Sequence, residues 1–352
     1  MKILLITDTH YGARNDSPLF LDYQLKSVES IVLPTIAKYN IDTVIHLGDL
    51  VDRRRFINFN TSMRMRQEFL DKIANCNVHI IAGNHDVYHK NTNDINAFNE
   101  LLERYNFSIY TDPAEVVIDD NLLMFVPWIN KDNRQKTIEM IEQTRSEQCF
   151  GHLELQGFEM QRGVVATHGD DQSMFDKFDV VCSGHYHQKS KKKNINYLGA
   201  PWEVTWADYN CPRGIHVYDT QTRQLEFIQN PNILFHRIIY NDSVNQIDKM
   251  IENLQKSNIS GAFCKIVVEQ KTNPFYFDRF FQAVEQMQPH DIKIVEQQAL
   301  VVDDTIAIDH AEDTLTILNK TIDKIDCNVD KQQLQQLIAS LYTKAASLEC
   351  NQ

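Results

Sequence analysis

Five short stretches carry side chains able to hold cations or move protons: Asp8-Thr9-His10, Gly48-Asp49, Gly83-Asn84-His85, Gly151-His152 and Gly184-His185-Tyr186-His187. The candidate metal ligands are Asp8, His10, Asp49, Asn84, His152, His185 and His187. Such a mixture of carboxylate, amide and imidazole suits Mn²⁺, Fe²⁺ or Zn²⁺ better than Mg²⁺, which prefers oxygen and water. No thiolate joins the set, which argues against a structural zinc site. Asp49 has two oxygens and can bridge two cations about 3.5–4 Å apart, the spacing of a two-metal phosphoryl-transfer site. With few anionic ligands the centre keeps positive charge for a phosphate, and the ions would activate a water and stabilise the leaving oxygen. His85, directly beside Asn84, is the candidate catalytic residue, orienting the phosphate and protonating the departing hydroxyl.

A lone Asp after a strand is usually a helix cap; what matters here is that the pattern recurs. The segments 2–7, 43–47 and 78–82 are apolar and read as buried strands, joined by amphipathic helices over 19–39 and 58–74. That order favours right-handed parallel crossovers, whose carboxyl ends are where open α/β sheets place ligands. Asp8 and His10, and again His185 and His187, are expected to alternate on extended chain, so that each pair faces one ion. Further along, the pattern predicts a helix over 91–105, a hairpin turning at Asp119-Asp120-Asn121, a helix over 138–147, a strand over 180–182 and a hairpin over 214–229. Two face-to-face sheets with helices outside account for these elements. After Asn230 strands (235–240, 263–270, 291–296) alternate with helices (245–256, 275–287), as in a small α/β cap. Two helices, 311–325 and 330–349, close the chain, the second with Leu334, Leu337, Ile338, Leu341, Ala345 and Leu348 on one face. The expected domains are 1–232, 233–300 (the cap) and 301–352.

The chain has 352 residues and a net charge of −13, so any nucleic-acid binding must come from a local basic patch. Arg53, Arg54 and Arg55 follow the Asp49 loop, with Arg64, Arg66, Phe56 and Phe59 nearby; Lys189, Lys191, Lys192 and Lys193 follow His187. Such clusters would meet a nucleic-acid backbone approaching the metals. No apolar run approaches the roughly 20 residues of a membrane span, and the N-terminus has no signal-peptide pattern. The seven cysteines lack C-x-x-C spacing, which suggests reduced thiols in a cytosolic compartment. Without a G-x-x-x-x-G-K-[ST] motif, nucleotide hydrolysis must come from another chain. His46 and His79 read as packed histidines, and His168 is the remaining one best placed to approach the site. Asp52 either steers a ligand or His85, or is a solvated loop carboxylate.

In their order, these motifs resemble the calcineurin-like metallophosphoesterase superfamily. The segment Tyr197-Leu198-Gly199-Ala200-Pro201-Trp202, the cap and the terminal helices are similar to the SbcD-type repair nucleases, which pair with a coiled-coil ABC ATPase (SbcC, or its counterpart in the eukaryotic MRN complex). Gly151-His152-Leu153-Glu154-Leu155-Gln156-Gly157-Phe158 and the compact length look most like the T-even phage recombination branch. The resemblance implies a four-layer αββα sandwich. It implies that Asp8, His10, Asp49 and His187 hold one ion, and Asp49, Asn84, His152 and His185 the other. It further implies Mn²⁺-dependent 3′→5′ exonuclease activity on duplex DNA, endonuclease activity on single strands, and work in the cytoplasm (a host's, if phage-encoded). A homodimer formed through the helices near 58–74 and 91–105 would sit within a heterotetramer, the terminal helices docking on the ATPase. DNA would meet Arg53, Arg54, Arg55, Lys191 and Lys192. One departure matters: Asp52 stands where many relatives have His, so a catalytic role there does not transfer. Two rivals remain. Gly48-Asp49-Leu50-Val51-Asp52-Arg53 also resembles the protein serine/threonine phosphatases, but Tyr11 and Asp86 stand where those carry Gly and Glu. A catalytically silent subunit bridging DNA and ATPase is the other.

Overall fold

A computed structural model describes residues 1–161 and 163–296. The helices expected at 311–325 and 330–349, and the docking role attached to them, lie outside the described residues. Residues 1–296 make one compact unit.

Ile3, Leu4, Leu5 and Ile6 are all buried, so the first strand, Lys2–Ile6, has core on both faces, as near-continuous apolar strands of parallel sheets do. Ile3 and Leu5 face inward, sharing a core with Ile45, Leu47, Phe125, Phe150 and Cys182 from both large sheets. Leu4 and Ile6 face outward to Phe20, Leu25, Val28 and Phe69 on the covering helices. On the far side Met124, Val126 and Cys149 pack with Ile141 of the helix Arg134–Gln143. The result is helix, sheet, sheet, helix: a four-layer αββα sandwich.

The first sheet runs Leu225–Gln229, Gly214–Asp219, Lys2–Ile6, Thr43–His46, Asn77–Ile81, Ser108–Tyr110 in space. Its last four strands are parallel. The second runs Ser190–Lys192, Ile195–Tyr197, Val180–Gly184, Gln148–His152, Asn121–Val126, Ala114–Ile118, with four parallel strands between antiparallel edges. A third, parallel sheet of Phe235–Asn241, Phe263–Gln270 and Asp291–Glu296 packs Tyr240, Ile266 and Val268 on Phe277 and Phe280 of the helix Pro274–Gln286. Its first residue, Phe235, belongs to the core of the first sheet.

Two helices depart from expectation. Over 91–105 only Phe98–Leu101 is helical. The Asn93 amide donates to the Thr111 and Trp128 carbonyls and that of Asn96 to the Asn93 carbonyl, while Tyr88 N–H bonds the Ile95 carbonyl. Asn and Asp side chains here satisfy the backbone in turns, the competition that disfavours helix interiors. The helix expected over 138–147 is Arg134–Gln143, ending where Thr144 turns extended. The edge strands Ser108–Tyr110 and Ser190–Lys192 and the interior strand Ile195–Tyr197 do not show in the sequence because three residues are too few to give a period. Among the described residues Cys76, Cys149, Cys182, Cys211 and Cys264 are free thiols, and no helix is long and apolar enough to cross a membrane.

Candidate metal centre

The parallel strands of both sheets end at one place, and all of the candidate ligands converge there. Asp8, His10 and His187 offer atoms within 4.8 Å of one another, and so do Asp49, His152 and His185. Asn84 joins the second group, its Oδ1 3.0 Å from His152 Nε2 and 2.9 Å from His185 Nδ1. Asp49 Oδ2 lies between the groups, 3.7 Å from His10 Nε2 and 3.3 Å from His152 Nε2. His10 Nε2 and His187 Nε2 approach to 2.9 Å.

The backbone route into the site is not the extended alternation expected for Asp8/His10 and His185/His187. Asp8, His10, Asp49 and His185 all have positive φ, at 51°, 45°, 56° and 88°. Left-handed backbone is uncommon outside glycine, and its clustering here is strain held at a functional site. Close packing fixes the glycines too: a Cβ on Gly48 would sit 2.5 Å from His152 Nδ1, and one on Gly83 2.2 Å from Asp49 Oδ1.

The donor set fits cations. His152 Nδ1 lies 2.8 Å from the Leu47 carbonyl, which can only accept, so Nδ1 carries the proton and Nε2 its lone pair. That lone pair faces Asp49 Oδ2 and Asn84 Oδ1, an arrangement that repels itself unless a positive charge sits among them. A proton can play the part: burial works against the charged ring, but Asp49 and Asp8 raise His152 to about 9. Asp49 resists burial and stays well below the usual carboxylate range because His152 and His85 face it. Burial holds His10 and His185 well below the ordinary histidine value, and His10 Nδ1 and His185 Nε2 are buried without hydrogen-bond partners among the described residues. Neutral imidazoles crowding one carboxylate are the state that divalent-metal binding requires.

His85 stands at the edge of this centre. Its backbone N–H donates to Asp49 Oδ1 at 2.7 Å, and its Nδ1 donates to the Asp52 carbonyl. The second bond leaves Nε2 for another partner, with the ring 4.8 Å from that of His10. The Asp52 carboxylate is 3.7 Å from His10 Nδ1 and largely buried, so it faces a candidate ligand and is not a solvated loop group. His46 is packed against Thr9 Oγ1 and His79 against Tyr110, as expected. His168 touches Glu154 Oε1 at 3.1 Å, and Glu154 in turn lies 3.9 Å from His185 Nε2.

Sequence reading missed the residues that hold the loops. The buried Asp86 carboxylate accepts the N–H groups of Asp49 (2.8 Å), Leu50 (2.9 Å), Val51 (3.2 Å) and Gly83 (2.9 Å), tying two ligand loops together. Gln24 and the Trp202 indole donate to the Thr9 carbonyl, and Gln24 also to that of His10. A buried Arg213–Asp208 pair carries a bond from Arg213 to the His187 carbonyl. Asp86, adjoining Gly83-Asn84-His85, and Trp202, ending the segment Tyr197–Trp202, are the two with a signal in the sequence.

The basic residues divide. Arg53 pairs with Asp16 and lies over Phe56, and Arg55 lies over Tyr88. Arg54 is half-buried, and that burial lowers its pKa from the ordinary arginine value against the pull of Asp49 and Asp86. Arg64 is engaged by Asp22 and Glu68. Lys191 and Lys192 are exposed on the edge strand Ser190–Lys192, Lys192 over the Phe158 ring at 5.9 Å.

The chain is similar in sequence to proteins of known family. The calcineurin-like phosphoesterase family model matches residues 1–189. Exonuclease subunit 1 of Enterobacteria phage T4 is 31% identical over 98% of this chain and 99% of its own. The SbcD component of the SbcCD nuclease of Staphylococcus saprophyticus subsp. saprophyticus is 21% identical over 73% of this chain and 76% of its own. A solved archaeal phosphodiesterase covers 65% of this chain and 99% of its own at 17% identity, with a TM-score of 0.33. With a family match over more than half its length and a near full-length relative at 31% identity, the chain belongs to the calcineurin-like phosphoesterase family.

Proposed function

We propose that the chain is the nuclease subunit of a DNA repair and recombination complex, hydrolysing phosphodiesters with two divalent cations. The observation that carries the reading is the convergence of Asp8, His10, Asp49, Asn84, His152, His185 and His187 on one strand-end site with His85 held beside it. Asp8, His10 and His187 would hold one ion, Asn84, His152 and His185 the other, and Asp49 would bridge them. Bound there, the cations supply Lewis-acid charge that lowers the pKa of a water and neutralises the phosphate. Mn²⁺ is the cation of this reading, one of the three, with Fe²⁺ and Zn²⁺, that the mixed carboxylate, amide and imidazole set suits. The chain's own part is positional. Asp86 fixes the Asp49 turn, the Leu47 carbonyl fixes the His152 tautomer, and the Asp52 carbonyl turns His85 Nε2 to the phosphate. Protonated at Nε2, His85 donates to a phosphate oxygen and delivers a proton to the departing hydroxyl.

The names of the two relatives, both components of nucleases, support a DNA substrate and a partner chain. The partner in this reading is an SbcC-like coiled-coil ABC ATPase bound by residues 301–352, with residues 233–300 as a DNA-recognising cap. Cleavage is 3′→5′ on duplex ends and internal on single strands, in the cytoplasm. Arg53, Arg54, Arg55, Lys191 and Lys192 line the DNA approach. The exposed Phe56, Phe59 and Met63 support homodimerisation through the helical stretch beginning at Phe59. The test is hydrolysis of labelled duplex and single-stranded DNA against a chromogenic phosphomonoester, with Mn²⁺, Mg²⁺ or chelator. Cleavage of DNA with Mn²⁺ that chelator abolishes is expected; turnover of the monoester with DNA left intact makes the chain a phosphatase.

A further inference from the structure

Beside the second ligand group lies a cavity of about 270 Å³ lined by Trp128, Ile129, Arg134, Glu154, Gly169 and Asp170. Two contacts join it to the metal centre. The Trp128 ring lies 5.2 Å from that of His185, and Glu154 Oε1 is 3.9 Å from His185 Nε2. A phosphate at the cations therefore has this cavity one side chain away.

The lining says what it takes. Glu154 and Asp170 bring two carboxylates, and the single cation of the lining, Arg134, is already engaged by Asp170. An acceptor-rich wall of net negative charge repels phosphate and suits hydroxyl and amine donors. The Trp128 indole N–H is buried with no acceptor among the described residues, although a buried donor left unpaired is destabilising. It therefore asks for a carbonyl or ring nitrogen from a ligand. Gly169, at φ 103°, keeps the wall in shape: a Cβ there would meet the Glu154 carbonyl oxygen at 2.5 Å. The volume is below the roughly 300–1,000 Å³ of drug-sized sites, room for one nucleoside.

We propose that this cavity receives the nucleoside of the nucleotide whose phosphate is under attack, its sugar hydroxyl on Glu154 and its base against Trp128. This rests on the nuclease reading and adds to it a seat for one terminal residue of the strand.

The test is calorimetric titration of the full-length, Mn²⁺-loaded protein with deoxyadenosine 5′-monophosphate and with inorganic phosphate, alongside DNA cleavage under the same conditions. The nucleotide is expected to bind at least about tenfold more tightly than phosphate. Trp128→Phe keeps an aromatic face while removing the unpartnered N–H and part of the indole, and its unfolding midpoint is compared with that of the wild type so that a loss of fold is seen as such. It is expected to reduce the nucleotide's advantage about 2–10-fold, the worth of one hydrogen bond, without changing phosphate affinity. Equal affinities in the wild type, or a variant that weakens both ligands alike, overturn the proposal. If DNA is cut while the nucleotide has no advantage, the cavity assignment fails and the nuclease reading stands. If DNA is not cut at all, it is the nuclease reading that falls.

Discussion

Asp86→Asn tests whether one buried carboxylate holds the Asp49 turn. Each Asp86 oxygen accepts two N–H groups: Oδ2 those of Asp49 and Gly83, Oδ1 those of Leu50 and Val51. Four donors converging on the two oxygens leave no place for a carboxyl proton, so the arrangement wants the anion, against the burial and Asp49 charge that push the group up to about 7. Asparagine can satisfy only one pair and turns its amide N–H₂ toward the other. Two hydrogen bonds to a charged group are lost, at about 1.5–3 kcal/mol each, and a neutral amide recovers part of this because it is cheaper to bury. The net cost is about 3–4 kcal/mol, a large share of the roughly 5–15 kcal/mol that stabilises a folded chain. The measurement is guanidinium unfolding at pH 8 in chelator, where the wild-type carboxylate is ionised, with exposed Asp176→Asn as control. Mn²⁺ affinity, measured by titration, should fall with stability, since Asp49 hangs from the same turn. An Asp86→Asn protein within about 0.5 kcal/mol of wild type would refute the argument that these four amides need a carboxylate.

Burial raises Glu203 to about 7, while its Oε2 accepts the Leu234 and Phe235 N–H groups at the entry to the third sheet. The folded state then holds a proton that the unfolded state releases near pH 4.5. Stability from this group is therefore full below 4.5 and declines as pH rises to about 7. Glu203→Gln should gain about 2–3 kcal/mol relative to wild type between pH 4.5 and pH 8 in denaturant titrations; no pH-dependent difference would count against it. His85→Ala should keep Mn²⁺ affinity within about threefold while DNA hydrolysis falls at least about 10²-fold; full activity would remove His85 from the chemistry. Replacing both Lys191 and Lys192 with Ala should lessen the slope of log affinity for duplex DNA against log salt by about 1.8, and an unchanged slope would place the duplex elsewhere.

What the chain's order of residues determined by itself was the donor set and the layering. Strands buried on both faces write near-continuous apolar runs, and the glycines before Asp49, Asn84, His152 and His185 mark where the chain packs too closely for a side chain. The elements after Asn230 were readable because their strands and helices are long enough to show their periods. The tertiary structure decided how the ligands face one another. Asp8 and His10 share a centre through left-handed backbone, not strand alternation, because the Gly48, Asp49 and Leu50 carbonyls, distant in sequence, hold the N–H groups of Asp8, His10 and Tyr11. Asp86, Gln24, Trp202 and Arg213 act on backbone groups far along the chain, and no local pattern reports which carbonyl or N–H a side chain will find. The helix expected at 91–105 dissolved into turns for the same reason, Asn93 answering the Thr111 and Trp128 carbonyls that only folding brings near. Ligand identity is local chemistry; ligand geometry is long-range hydrogen bonding.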